Sequence, residues 1–288
     1  RPVRAPRPEP PVIRPHWYAP LTALLAGLAA GLAHPPFGLL PGLLGYSLIL
    51  LRLETISGPR PLRTAFQLGW LAGLGYFGVS TWWIAEPFLV DTRVYGWMAP
   101  FAVVLMGGGL ALFWGLAALA YRMLRPRGVW KALVFAGVFA GTEWLRGHVL
   151  TGFPWNLAGY AVADFDALRQ PTAWVGSYGM SFIVILIGAM PGAAWMARGS
   201  FRRAALASAV LLPLALWTLG ISRLNDPEPM PTGVSVRVVQ GNFPQTEKWR
   251  PGAKYKALNR YLSLTAAQAT ASGADPVAAA AAARRPRV

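Results

Sequence analysis

The sequence contains no cysteine and only three histidines among its 288 residues. Without cysteine, these residues supply no disulfide, no thiolate metal ligand and no thiol nucleophile. His34 and His148 have no second ligand at the spacing of a metal site, so we expect neither a metal nor another cofactor. Thiol chemistry is therefore excluded within these residues, and a metal site is not expected.

Acidic residues are also scarce, with 11 Asp and Glu against 27 Lys and Arg and a net charge of +16. A nucleic-acid partner would require basic residues clustered on one face of a soluble domain, with aromatic side chains between them. Here half of the basic residues stand instead in a tail and in short connections between apolar stretches. Anionic lipid headgroups attract basic residues in such positions. We therefore expect membrane lipid as a partner and no nucleic acid.

Long apolar stretches dominate what is present. An α-helix needs about 20 apolar residues to cross a hydrocarbon core, and inside lipid it pairs its own backbone groups. The pattern predicts a polytopic α-helical membrane protein with seven transmembrane helices within residues 17–222. The seven stretches are Tyr18–His34, Phe37–Leu51, Ala65–Ala85, Trp97–Tyr121, Val129–Trp144, Trp174–Trp195 and Ala204–Ile221.

Basic residues crowd every second connection, and this asymmetry predicts the orientation. Lys and Arg in short loops mark the cytoplasmic face, so we expect a cytoplasmic N-terminus and an extracytoplasmic C-terminal segment. Residues 1–16, rich in Pro and Arg, are predicted to be a disordered basic cytoplasmic tail. The predicted outer side carries Arg93, Arg146 and Arg169; the inner side carries Arg1, Arg4, Arg7, Arg14, Arg52, Arg60, Arg63, Arg122, Arg125, Arg127, Lys131, Arg198, Arg202 and Arg203.

The pattern changes after the seventh stretch. Val234–Gln240 alternates β-branched and polar residues, as a half-buried strand does, and Gly252–Ser272 has helical spacing. A strand, a loop and an amphipathic helix are typical of the opening of an α/β domain, which we place at residues 223–275. Residues 276–288 contain a run of alanines and predict a low-complexity tail that does not pack.

Two ionisable residues stand near the end of the fifth stretch. Glu143 and Arg146 are three positions apart on one helical face, so an ion pair between them is available. Such residues at membrane depth are candidates for function, but a purely structural pair remains an equal alternative. The aromatic residues Phe153, Trp155 and Tyr160 follow, and we interpret them as interfacial anchors that could also shape a lateral entrance for lipid.

Several stretches together resemble one family, the apolipoprotein N-acyltransferases of bacterial envelopes, and the resemblance extends from about residue 20 to about residue 275. It implies a membrane bundle in the bacterial inner membrane, joined to an extracytoplasmic nitrilase-like αββα domain of the carbon–nitrogen hydrolase type. The matching stretches are Glu143–Arg146, Thr151–Trp155, Gly159–Tyr160, Gly176–Phe182, Val236–Asn242, Pro244–Gln245 and Glu247–Trp249.

The resemblance also implies a reaction and its partners. In that family a cysteine thiolate takes an acyl chain from a phospholipid and passes it to the α-amine of the diacylglyceryl-cysteine of an apolipoprotein. A glutamate acts as general base and a lysine stabilises the oxyanion, so the reaction is covalent catalysis with an activated nucleophile.

By the same resemblance, Trp249 lies near the mouth of the substrate site. It would contact the acyl chain or lipid there, although an interfacial tryptophan is the alternative. Gln240 and Asn242 close the predicted strand and are candidates to line the site, and the capping of a turn by asparagine is the commoner alternative.

The sequence departs from the family in one respect. The family's Trp-Pro-Glu motif, which carries the base, has no counterpart around Val277. We therefore expect the catalytic Glu, Lys and Cys to lie outside these residues, a reading-frame shift near Asp275, and an inactive polypeptide. A non-catalytic membrane anchor and a transporter are the alternatives; a transporter would show paired broken helices or charges at mid-span, and neither is evident.

Overall fold

The computed structural model describes residues 18–226, 238–248 and 250–266. The chain divides into two compact units, Arg1–Pro227 and Glu228–Val288, and each is described by itself. In the described part of the first unit, the helices of at least eleven residues are α1 (Tyr18–Leu32), α2 (Leu44–Glu54), α3 (Pro61–Ser80), α4 (Ala99–Leu124), α5 (Trp130–His148), α6 (Thr172–Met196) and α7 (Gly199–Leu224).

Each predicted apolar stretch overlaps one of these helices, with shifts at the ends. The second stretch begins as a 3₁₀ turn at Leu40–Leu43 before α2, and the third ends as a 3₁₀ turn at Trp82–Ala85 after α3. Among the described residues, three segments are long and apolar enough to cross a membrane: Thr92–Leu124, Thr172–Met196 and Gly199–Leu224. The described part of the chain is thus mainly α-helical, with three segments of the length and apolarity that a membrane crossing requires, whereas seven crossings remain a prediction.

Glycines set the spacing between α1 and α3. A Cβ on Gly27 would lie 1.7 Å from the carbonyl oxygen of Ala72, and one on Gly75 would lie 2.2 Å from that of Leu24. Only hydrogen fits at these two contacts, so the backbones of α1 and α3 approach as closely as small residues allow.

Aromatic rings fill the centre of the bundle, where α2, α3, α4 and α5 meet. The ring of Trp114 lies 4.5 Å from that of Tyr76, 5.2 Å from that of Phe139 and 5.8 Å from that of Tyr46, between ring centres. All four side chains are buried. This core supports the ends of α3 and α5, from which the polar side chains described below project.

Helix α6 is interrupted twice. Gly176 adopts φ 69° and ψ 176°, which breaks the helical path near its start, and Pro191 lies within the helix near its end. The buried Ser47 hydroxyl of α2 donates to the Gly188 carbonyl oxygen at 2.6 Å and accepts from the Gly192 N–H at 2.8 Å. Ser47 therefore binds two backbone groups that an uninterrupted helix would pair with each other.

Helix α7 lies on the outside of this unit, and in it only Leu216 and Gly220 are buried. In the second unit the described residues form a short helix, Gln245–Lys248, and α8, Ala253–Ala266. Residues 234–237 of the predicted strand lie outside the described residues, and residues 238–240 are not in a strand. The nitrilase-like domain therefore stays a prediction.

Candidate functional site

A set of buried and half-buried polar side chains gathers at the segment that joins α5 to α6. We call it the polar cluster, and it consists of His34, Tyr76, Glu143, Arg146, Asn156 and Ser181. The segment above it runs through residues 149–171 and includes a 3₁₀ turn at Ala158–Val162 and a short helix at Asp166–Arg169. Buried polar groups need partners, so the hydrogen bonds of the cluster indicate its role.

Glu143 binds the main chain of this segment. Its side chain is 1% exposed, and its two carboxylate oxygens accept from the N–H of Ala158 at 3.0 and 3.2 Å. Because a buried N–H group without a helical partner needs an acceptor, this contact fixes the start of the 3₁₀ turn against α5.

Arg146 holds the same segment one turn further along α5. Its Nη1 donates to the carbonyl oxygens of Phe153 and Trp155, each at 2.7 Å, and the side chain is 1% exposed. The guanidinium carbon lies 5.1 Å from the centre of the Phe77 ring. Its Nε and Nη2 have no hydrogen-bond partner among the described residues. One side chain thus holds two residues of the connection, Phe153 and Trp155.

The sequence made an ion pair between Glu143 and Arg146 available, and both residues do face the same side of α5. In the described part of the chain, however, no contact within 4.0 Å joins the two charged groups. Each binds main-chain atoms of the segment instead. The physical reason is that buried carbonyl and N–H groups without a helical partner need hydrogen bonds as much as the two charges do.

Asn156 connects the segment to α3. Its side-chain Nδ2 donates to the main-chain carbonyl oxygen of Ser80 at 2.8 Å. The main-chain carbonyl oxygen of Asn156 accepts from the Tyr76 hydroxyl at 3.0 Å. Its backbone is left-handed, with φ 52°, a conformation that asparagine tolerates better than most residues. Sequence reasoning did not single out Asn156, although an asparagine between aromatic residues in an irregular segment was a usable signal.

His34 lies in the connection after α1, and its Nε2 is 2.6 Å from the Tyr76 hydroxyl. Burial, together with the nearby charge of Arg146, lowers the pKa of His34 to about 4. The imidazole is therefore neutral at physiological pH. Because the Tyr76 hydroxyl donates to Asn156, its oxygen is left to accept a hydrogen from Nε2.

The other side of the segment packs against α6. The Ser181 hydroxyl accepts from the N–H of Gly159 at 3.0 Å. A Cβ on Gly159 would lie 2.8 Å from the main-chain nitrogen of Ser181 and 3.0 Å from the carbonyl oxygen of Ser177. Glycine at position 159 thus permits this close approach.

The predicted aromatic residues differ in exposure. Phe153 is partly buried against the core, whereas Trp155 and Tyr160 are 58% and 37% exposed. The ring of Trp155 lies 5.6 Å from that of Trp83, which follows α3. Five of the sequence-predicted site residues, Glu143, Arg146, Phe153, Trp155 and Tyr160, therefore lie on or beneath one segment.

The remaining three belong to the second unit. Gln240 and Asn242 are exposed, and Asn242 has the left-handed φ of 44° that suits a turn. The neighbouring Gly241 is buried near the Tyr261 ring of α8. Trp249 lies outside the described residues, so its predicted contact with an acyl chain stays a prediction.

The hydrogen bonds of the polar cluster position the segment. Its carboxylate and one guanidinium nitrogen, Nη1 of Arg146, bind main-chain groups, and its histidine is neutral and bound to a tyrosine. Nε and Nη2 of Arg146 have no partner among the described residues. Within the described residues no three His, Cys, Asp or Glu side chains lie close enough together to hold a metal ion. The cluster therefore fixes the path of the segment, and the exposed aromatic rings of that segment are left free to contact other molecules.

Comparison with known proteins gives a consistent result. The profile of the apolipoprotein N-acyltransferase N-terminal domain matches residues 26–190, which include all six residues of the polar cluster. An apolipoprotein N-acyltransferase of Caulobacter vibrioides is 50% identical over 261 residues, which cover 91% of this chain and 49% of that protein.

Two further relatives carry the same name. The protein of Allorhizobium ampelinum is 34% identical over 267 residues, covering 90% of this chain and 50% of the relative. The protein of Brucella melitensis is 35% identical over 261 residues, covering 86% of this chain and 48% of the relative. This chain spans about half the length of the curated relatives it matches. By the profile match and these identities, the chain belongs to the apolipoprotein N-acyltransferase family.

Proposed function

We propose that this chain forms the membrane part of an apolipoprotein N-acyltransferase in the bacterial cytoplasmic membrane. Residues 17–222 cross the bilayer seven times from a cytoplasmic N-terminus, and residues 223–275 begin an extracytoplasmic nitrilase-like domain. Family membership, the helices at all seven apolar stretches and the alternation of basic residues support this arrangement.

The complete enzyme transfers an acyl chain from a phospholipid, through a cysteine thioester, to the N-terminal diacylglyceryl-cysteine of a lipoprotein. These 288 residues contain no cysteine. The thiolate that forms the thioester must therefore come from outside them, and this polypeptide by itself does not complete the transfer. Its contribution is to bind and position substrates.

The observation that carries the proposal is the way in which Arg146 holds the main chain of Phe153 and Trp155 while the Trp155 ring stays exposed. Tryptophan and tyrosine favour the boundary between lipid and water. We place Trp83, Trp155 and Tyr160 in contact with a lipid substrate, and Glu143 and Arg146 as positioning residues beneath them. Gln240, Asn242 and Trp249 keep their proposed places in the substrate site.

A chimera tests the proposal. Residues 1–266 are joined to the C-terminal half of the Caulobacter relative and expressed in cells depleted of their own enzyme. The mass of a lipoprotein's N-terminal peptide then distinguishes two acyl chains from three. We expect the chimera to add the third chain and the 288 residues alone not to add it.

A matched pair of variants tests the site. Trp155→Ala in the chimera should raise the KM for phospholipid several-fold, whereas Trp195→Ala, which removes another exposed tryptophan, should leave it unchanged. A stable, membrane-inserted chimera without activity would refute the proposed function. Activity of the 288 residues alone would refute the need for an outside thiol.

A further inference from the structure

A cavity of about 420 Å³ opens near the junction of α6 and α7. The start of α5, the end of α6 and the start of α7 form its walls. Its volume lies within the range of roughly 300–1,000 Å³ that small-molecule sites occupy. It is far from the polar cluster: Lys131 and Arg146, at opposite ends of α5, are separated by about 20 Å at the rise of an α-helix.

The interior of the cavity is apolar. Its lining includes Leu133 of α5, Met190 and Met196 of α6, and Phe201 and Ala205 of α7. Helix α7 is apolar enough to cross a membrane, yet it buries only Leu216 and Gly220, both far from this end. The start of α7 therefore leaves apolar side chains such as Phe201 uncovered beside the cavity.

Positive charge borders the cavity. Lys131 and Arg198 are among its lining residues. Lys131 forms an ion pair with Glu54, whose carboxylate also accepts from the Tyr121 hydroxyl. Arg198 is exposed, and no carboxylate lies within 4.0 Å of it in the described part of the chain. The charge that remains available at this border is therefore cationic.

Two helix N-termini add to this charge. Helix α5 begins at Trp130, next to the lining residues Gly128 and Val129, and α7 begins at Gly199, next to Arg198. Neither start has a side-chain cap or an acidic residue in its first turn. The N–H groups of Trp130 and Lys131 at the start of α5 already donate to the carbonyl oxygens of Arg127 and Gly128. The first turn of α7, next to Arg198, therefore offers the more available positive end of a helix dipole, which favours a phosphate.

We propose that this cavity binds one anionic phospholipid from the leaflet on the arginine-rich side of the membrane. An acyl chain occupies the apolar interior between α6 and α7, and the phosphate lies between Arg198 and the start of α7. Two other occupants fit less well. A free inorganic anion would leave the apolar wall of the cavity in contact with water, and an acyl chain without a charged headgroup would leave Arg198 without a partner. This site is separate from the proposed transfer of an acyl chain, and its lipid binds without chemical change.

The test uses the purified full chain in detergent, with phosphatidylglycerol or phosphatidylethanolamine of the same acyl chains added. Native mass spectrometry measures bound lipid, and a thermal melt measures stability. We expect phosphatidylglycerol to bind and to raise the melting temperature, and phosphatidylethanolamine to bind at least about fivefold more weakly. Equal binding of the two lipids would overturn the proposal.

Two arginine variants separate a site from diffuse attraction. Arg198→Gln should weaken phosphatidylglycerol binding about five- to tenfold, since a basic residue near an anionic lipid contributes on that scale. Arg202→Gln removes the same charge four residues away and outside the cavity lining, so it should keep wild-type binding. Equal losses in the two variants would overturn the proposal.

A third variant tests the apolar part. Ala205→Trp fills the cavity and should abolish the lipid-dependent rise in melting temperature while Arg198 is intact. Unchanged lipid binding in this variant would overturn the placement of the acyl chain. Should it fail to fold, Arg198→Gln against Arg202→Gln still decides. The chain could also form a dimer that added lipid does not change and that Ala205→Trp disrupts. That result would identify a second copy of the chain as the occupant of the cavity and would overturn the proposal.

Discussion

Replacing Arg146 with methionine is the most direct test of how the polar cluster works. Methionine keeps a long, unbranched side chain on α5 but removes the charge and all the donors. The carbonyl oxygens of Phe153 and Trp155 then lose the donor that holds each of them at 2.7 Å. The carboxylate of Glu143 also stays buried without a nearby positive charge.

The size of the effect follows from these contacts. A hydrogen bond to a charged group contributes about 1.5–3 kcal/mol, and Arg146 donates two such bonds to buried main-chain carbonyl oxygens. Both bonds come from one nitrogen, so their contributions are not fully additive. We expect Arg146→Met to lower the free energy of unfolding by about 3–5 kcal/mol.

Arg169→Met is the matched control. Arg169 also donates to a main-chain carbonyl oxygen of the same segment, that of Ala163 at 3.1 Å, and it pairs with Asp166. Both of these side chains are at least half exposed, so this change should cost less than about 1 kcal/mol. Unfolding in mixed micelles with increasing SDS, followed by circular dichroism, measures both free energies.

The double variant Glu143→Gln/Arg146→Met completes the test. Removing the second charge should recover part of the loss, because the remaining side chains are neutral. Limited proteolysis should also cut near Phe153 in Arg146→Met and not in Arg169→Met. If the two single arginine variants had equal stability, Arg146 would not anchor the segment.

Three further predictions concern other contacts of the bundle. Gly159→Ala should lower the free energy of unfolding by about 1–3 kcal/mol, because the new Cβ meets main-chain atoms of α6. Gly141→Ala, whose Cβ would meet open space, is the control and should be neutral or stabilising by up to about 1 kcal/mol. The SDS titration in mixed micelles compares the two variants. Ser47→Ala should cost about 1–3 kcal/mol, since it leaves two backbone groups of α6 without their shared partner, and Ser47→Thr is the matched variant that retains the hydroxyl. The pKa of His34 is lowered to about 4 in the folded state, so the unfolded chain binds an extra proton between about pH 6.5 and pH 4. As the pH is lowered through that window, the free energy of unfolding should decrease by up to about 1.4 kcal/mol per pH unit. His34→Gln should make the melting temperature less dependent on pH. An equally steep profile in His34→Gln would assign the dependence to another group.

The positions of the helices could be predicted because long apolar stretches leave few alternatives in lipid. Helix α5 shows where that reasoning ended too early: the predicted stretch stopped at Trp144, but the helix continues to His148. Glu143 and Arg146 make the end of the stretch look polar, although both are buried and bind main-chain groups 7 to 15 positions away. A pattern of hydropathy does not contain such contacts.

The candidate site was predictable in part. The charges on α5 and the aromatic residues after it were identified from the sequence, and the structure brings them together. The contact of Tyr76 with His34, 42 positions away, and with Asn156, 80 positions away, followed from no local pattern. The cavity near Arg198 was also absent from the prediction, because it depends on how three helices diverge.

The anchoring of the segment after α5 has a consequence for how this family can vary. Glu143 and Arg146 reach only the amide groups of Ala158, Phe153 and Trp155, and the carbonyl group is common to all twenty amino acids. The rings at positions 153 and 155 can therefore be exchanged in the course of evolution while the backbone keeps its course. Proline at position 158 is the exception, since it would lack the hydrogen that Glu143 accepts.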